Sequence, residues 1–169
     1  DGEHLYETWT INSIRTVVDH YDVEHTSLVG VSMGGLGALS LGLRHPTLIE
    51  SMVAYSATDL EIALEDYPDY PLYHSVFGEE MYDAYAHALN PRELVLRGAG
   101  QQQNIAWIVG DSEQRKFTEG AERLWIASTS QGLSPQRRVV PGGNHSFDTT
   151  WNAESTEWWV DLWMSWVEP

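Results

Sequence analysis

The residues whose types and spacing could do chemistry are Gly30-Val31-Ser32-Met33-Gly34-Gly35, a G-x-S-x-G pattern. A serine in that setting can attack a carbonyl carbon once a base takes its proton. The pattern follows an apolar run that reads as a strand and opens a stretch that reads as a helix, the context a nucleophile elbow requires. Glycines two residues before and after the serine are expected to remove Cβ atoms that would collide in so tight a turn. The turn would raise the Ser32 hydroxyl above the sheet edge at a helix N-terminus. There the helix dipole and the Met33 N–H could stabilise an oxyanion.

A serine hydroxyl needs a base within hydrogen-bonding reach. Of seven histidines, His145 fits. It lies in Gly142-Gly143-Asn144-His145-Ser146, past the last expected strand and before the last helix. Parallel strands share their carboxyl ends, so His145 belongs at the same sheet end as Ser32. His20, His25 and His45 fall at far helix ends or before a strand. His4, His74 and His87 fall in the opening segment or in an irregular stretch. All six read as solvated. A carboxylate should hold the imidazole in its productive tautomer. Asp111, after the strand ending Trp107-Ile108-Val109-Gly110, is the expected residue, although it could instead cap the following helix. Glu113, two residues on, is the reserve candidate. The order serine, acid, histidine is the one G-x-S-x-G hydrolases use.

These groups need elements to hold them. Ile14, Val17, Val18 and Tyr21 recur on one face of a helix expected over residues 5–21. Ser27 to Val31 reads as a buried strand, and Leu36, Leu39 and Leu43 line a helix that stops near His45-Pro46. Ser51 to Tyr55, Asn104 to Val109 and Arg137 to Val140 read as further strands. Phe117, Ala121, Leu124 and Trp125 mark one helix face. Trp159, Leu162, Trp163 and Trp166 mark another, in a last helix over residues 151–167, as core rather than as a binding surface. Alternating strands and helices imply an α/β architecture with a mostly parallel sheet. Residues 57–98 break the rhythm with three prolines, many acids and a set of tyrosines, and read as a lid-like excursion over one end of the sheet. Tyr67, Tyr70 and Tyr73 in it could shape a substrate pocket or simply pack.

Composition limits the function classes. The 169 residues suffice for one domain, and residues 1–169 read as a single unit. Nine Lys plus Arg against 25 Asp plus Glu leave a formal charge of −16, which repels nucleic acid and anionic membranes and mildly favours neutral or cationic ligands. An acidic surface with one lysine suits a high-salt habitat, though ordinary acidic proteins share the trait. There is no cysteine, hence no disulfide, thiolate metal site or cysteine nucleophile. No apolar run approaches a membrane span, and both the cytoplasm and the exterior (after leader removal) stay open as compartments. The histidines lack paired metal-ligand spacing. Glu61, Glu65, Asp66 and Asp69 read as a solvated acidic face, and the chemistry calls for no cofactor.

The stretch Leu28 to Leu39 with Arg44-His45-Pro46 after it resembles the putative-esterase family, which includes esterase D, feruloyl esterases, enterochelin esterases and the antigen 85 mycolyltransferases. His74-Ser75-Val76-Phe77-Gly78, Asn90-Pro91 and Gly142 to Phe147 resemble further pieces of it. The resemblance implies an α/β-hydrolase-type three-layer sandwich and a serine carboxylic-ester hydrolase acting on a small-molecule ester. Ser32 would be the nucleophile, His145 the base, Asp111 the acid and Met33 an oxyanion donor. The mycolyltransferase branch uses a glutamate, for which Glu113 is the nearest match, so acyl transfer to a sugar or alcohol is an alternative. In the family, several strands and helices precede the elbow, and a loop among them supplies the second oxyanion donor. The chain therefore reads as the C-terminal portion of such a domain. The missing strands would come from another chain, leave it as a non-catalytic subunit, or have been removed. A homo-oligomer is the other expected assembly.

Overall fold

The computed structural model describes residues 5–69 and 87–168. In chain order the elements are α1 (Leu5–Tyr21), β1 (Ser27–Val31), α2 (Met33–Arg44), β2 (Ser51–Tyr55), α3 (Leu60–Asp66), α4 (Pro91–Leu96), β3 (Asn104–Gly110), α5 (Arg115–Ser130), β4 (Gln136–Val140) and α6 (Ala153–Val167). The strands form one sheet in the order β1-β2-β3-β4, every pair parallel. Parallel neighbours cannot be joined by a tight turn, so each connection crosses a face of the sheet and brings helix with it.

The strand side chains alternate between two layers, as a pleated strand demands. Met52, Ala54, Ile105 and Trp107 enter a core with Leu39 and Leu43 of α2, Val95 of α4, and Leu124 and Ala127 of α5. Val53, Tyr55, Ala106 and Ile108 point the other way, under Trp158, Trp159, Leu162 and Trp166 of α6. The result is three layers, helix–sheet–helix, of the α/β class. Fully buried side chains such as Leu39, Met52 and Ile108 each contribute about 1.5–3 kcal/mol of burial.

Two expectations about faces are adjusted. In α1 the inward residues are Ile11, Ile14 and Val18, whereas Val17 and Tyr21 are exposed. The tryptophans of α6 do pack on the sheet, but they are half-buried rather than enclosed. The Trp163 indole N–H donates to Ser27 Oγ at 2.7 Å, tying α6 to β1.

Within residues 57–98, α3 packs on α5, and α4 on α2 and α5. Asp59 caps α3 by accepting from the Glu61 and Ile62 N–H groups. Asn90 caps α4, and its side-chain amide donates to Asp59 Oδ1 at 3.1 Å. The two ends of the excursion are thereby pinned to each other. Tyr70, Tyr73 and His74 lie outside the described residues.

Candidate active site

Ser32 sits between β1 and α2 with φ 57° and ψ −118°, a conformation that costs a non-glycine residue about 1–3 kcal/mol. Its N–H donates to the Tyr55 carbonyl at 2.7 Å, and its carbonyl accepts from Leu36 N–H, so neighbouring backbone holds the strained turn from both sides. A Cβ on Gly30 would lie 1.9 Å from the Gly34 carbonyl oxygen, while a Cβ on Gly34 would meet nothing. Both glycines were expected to be sterically required. Only Gly30 is, because the chain folds the Gly34 carbonyl onto it. Gly35 is tight as well, since its Cβ would lie 2.9 Å from the Tyr55 oxygen. Met33 opens α2, so its N–H is one of the free first-turn donors beside Ser32, and its side chain is exposed.

His145 Nε2 lies 2.9 Å from Ser32 Oγ. Its Nδ1 lies 2.8 Å from Glu113 Oε2. The Glu113 side chain is fully buried, and that of His145 is one-third exposed. Glu113 Oε1 accepts from the Gly110 N–H at 2.8 Å and from Ser56 Oγ at 2.7 Å. Three donors thus surround the buried carboxylate. An ionised carboxylate can only accept, so the proton of a neutral imidazole belongs on Nδ1, and Nε2 is left to accept from Ser32 Oγ–H.

Asp111, the expected acid, does not reach the imidazole. Its Oδ1 accepts from the Gly142 N–H at 2.7 Å and from Ser112 Oγ at 3.1 Å. Nor does it cap α5, whose N-cap residue is Gln114. It fastens the histidine loop to the end of β3. At the same place a Cβ on Gly110 would lie 2.2 Å from the Gly143 oxygen, so the two loops cross at backbone contact. Ser112 N–H donates to that same oxygen at 2.9 Å. Thr150, fully buried, donates to the Asn144 carbonyl at 2.6 Å and closes the loop from the other side.

Aromatic rings frame the imidazole. Phe117 stacks on it at 4.2 Å between ring centres, and Trp151 meets it edge-on at 4.6 Å. The Trp151 indole N–H donates to Ser56 Oγ at 3.0 Å, so one chain of bonds runs from Trp151 through Ser56 to Glu113. Ser56 is buried with φ 48°. Nothing in its sequence context marked it, beyond its place at the carboxyl end of a strand. Tyr67 lies near this wall, with the Lys116 ammonium 5.2 Å from its ring centre.

Several other histidines and acids among the described residues are engaged elsewhere. His25 pairs with Glu50, and His45 and Arg44 pair with Glu7. Glu61, His87 and Glu93 lie together, but the Arg92 guanidinium already bridges the two glutamates. Arg115 holds Glu65 and Asp66.

The fold, a parallel sheet between helical layers, is of the α/β-hydrolase type. The Esterase family, Putative esterase in full, matches residues 2–165, and the chain belongs to it. No curated protein matches the chain. Among solved structures, it is similar to a ferulic acid esterase at 18% identity and TM-score 0.61, over 85% of this chain and 55% of that one. A truncated carbohydrate esterase from gut microbiota is 14% identical with TM-score 0.71, over 92% of this chain and 65% of that one. An acylaminoacyl peptidase from Pyrococcus horikoshii is 14% identical with TM-score 0.62, over 81% of this chain and 22% of that one. The chain therefore spans between about a fifth and about two-thirds of their lengths, and at these identities the likeness is one of fold.

Proposed function

We propose that this chain carries the catalytic site of a serine carboxylic-ester hydrolase that works through an acyl-enzyme on Ser32. The observation that supports it is the unbroken hydrogen-bonded line from Ser32 Oγ through His145 to Glu113. Ser32 Oγ attacks the ester carbonyl carbon while His145 Nε2 takes its proton. The carbonyl oxygen becomes an oxyanion beside the Met33 N–H at the start of α2. The imidazolium that forms is held by the Glu113 carboxylate and faces the Phe117 ring, which favours a cation. His145 then gives its proton to the leaving alcohol. Water, deprotonated by the same nitrogen, next attacks the acyl group and frees Ser32.

This reading takes Glu113 as the acid. A glutamate there also favours one second reading, acyl transfer to a sugar or alcohol, because the branch of the family that transfers mycolyl groups uses a glutamate. The two differ only in which hydroxyl enters the second step.

Intact mass after treatment with a fluorophosphonate is the test. One adduct, located on Ser32 and absent from Ser32→Ala, is the expected result. An unlabelled but folded chain would sink the proposal and favour a non-catalytic role. Adding alcohols to a turnover assay, with transesterified product measured, separates transfer from hydrolysis.

A further inference from the structure

Lys116 is the only lysine among 169 residues, in a chain with a formal charge of −16. Its ammonium lies 5.2 Å from the centre of the Tyr67 ring and 5.1 Å from that of Phe117. Phe117 in turn stacks on the imidazole of His145 at 4.2 Å. The one lysine is therefore two contacts from the reacting groups, on the wall of the candidate active site.

Its setting opposes its charge. Burial pushes the ammonium below the usual lysine range, and the Asp66 carboxylate only partly offsets this. Lys116 is the second residue of α5, a helix of 16 residues, where the positive end of the dipole disfavours a cation. Its neighbour Arg115 occupies the same end but is held by Glu65, Asp66 and Glu119. Among the described residues no carboxylate forms an ion pair with Lys116, and the one whose field reaches it, Asp66, is bonded by two nitrogens of Arg115. A partly desolvated cation without an ion-pair partner is a local rule broken, and such breaks concentrate where a ligand supplies the missing partner.

We propose that Lys116, set between Tyr67 and Phe117, is an anion subsite that selects esters carrying a carboxylate about one aromatic ring away from the reacting carbonyl. The ammonium lies against both rings, of which Phe117 is buried and Tyr67 exposed, so an aromatic or flat spacer would approach along Tyr67 and the ammonium would take the charged end. The molecule as a whole repels anions, so the preference is a local one. It shows as a ratio between matched substrates rather than as a high absolute rate. The inference rests on the serine-hydrolase reading, and it adds a substrate class to it.

The test compares 4-acetoxybenzoate with the uncharged 4-acetoxybenzamide, on the wild-type chain, Lys116→Met and Lys116→Arg. Lys116→Met should lower kcat/KM for the benzoate roughly tenfold or more, the size expected when a bond between charged groups is lost. It should leave the benzamide within about twofold. Lys116→Arg should restore most of the preference, and added salt should shrink it in the wild type. An equal change for both substrates, or no change for either, overturns the subsite. Fluorophosphonate labelling of Ser32 keeps the two readings apart. Labelling with no loss of preference sinks the subsite alone, whereas absence of both labelling and turnover sinks it together with the hydrolase reading.

Discussion

Two carboxylates lie within three residues of each other after β3, and they do different things. Glu113 is buried with one oxygen on His145 Nδ1 and the other on Ser56 and Gly110. Asp111 is exposed and holds the Gly142 N–H. Replacing Glu113 with Gln keeps the size but offers the imidazole a wrong tautomer. Its kcat should fall by about 10³–10⁴, as expected for loss of a triad carboxylate. Asp111→Asn keeps an acceptor for Gly142, and kcat should fall by less than about tenfold. Steady-state kinetics on an activated ester with both variants decides it, and the reverse ranking would restore Asp111 as the acid. The sequence contained both candidates but not the choice between them. That choice depends on where the loop after β3 crosses the histidine loop, at the contact of Gly110 with Gly143. A crossing of two segments more than thirty residues apart leaves no local pattern. Ser56 escaped notice for the same reason, since its partners, Glu113 and Trp151, come from distant loops.

Elements were far more legible than contacts. Each strand and most helices fall within a residue or two of where apolar runs and periodicity put them, most clearly for β2 and β3, because a strand buried on both faces is an uninterrupted apolar run. The faces of α1 were less so. Ile11, Val18 and Tyr21 all fall near one stripe, and only packing against α2 and the sheet selects the earlier residues. At the turn from β1 into α2, the G-x-S-x-G spacing signalled the geometry but not which glycine carries it. The two outer glycines therefore make an internal control. Gly30→Ala places a methyl into the Gly34 carbonyl and should cost about 3 kcal/mol or more of stability, since backbone on both sides cannot yield. Gly34→Ala adds a methyl to open space inside a helix and should be neutral or stabilise by up to about 1 kcal/mol. Urea unfolding of both variants measures the difference. Similar losses at both sites would mean that the turn does not close as described.

Charge acts on the whole molecule. With 25 acids against nine lysines and arginines, folding gathers a net −16 into one small volume, where like charges repel over distances comparable to the Debye length. Opposing this are ion pairs such as Arg115 with Glu65, Asp66 and Glu119, Arg123 with Glu119, and Arg137 with Glu122. These are surface pairs, each contributing little, and salt weakens them too. The two effects have opposite signs, so magnitude decides. Nine cations can neutralise at most nine of the acids, which leaves an excess of 16 carboxylates whose mutual repulsion is long-ranged. Salt removes that long-range term first, because pairs in contact at 2.6–3.2 Å are far closer than the roughly 10 Å screening length at 0.1 M salt. The melting temperature should therefore rise as sodium chloride is added to a low-salt buffer. The gain should come mostly at the start, while the screening length falls from about 30 Å at 0.01 M to about 10 Å at 0.1 M. Calorimetry over a chloride series, with sodium sulfate run alongside to separate screening from the general strengthening of apolar burial, gives the answer. A melting temperature that falls with chloride would mean that the ion pairs outweigh the repulsion, and that the acidic surface is locally balanced despite its net charge.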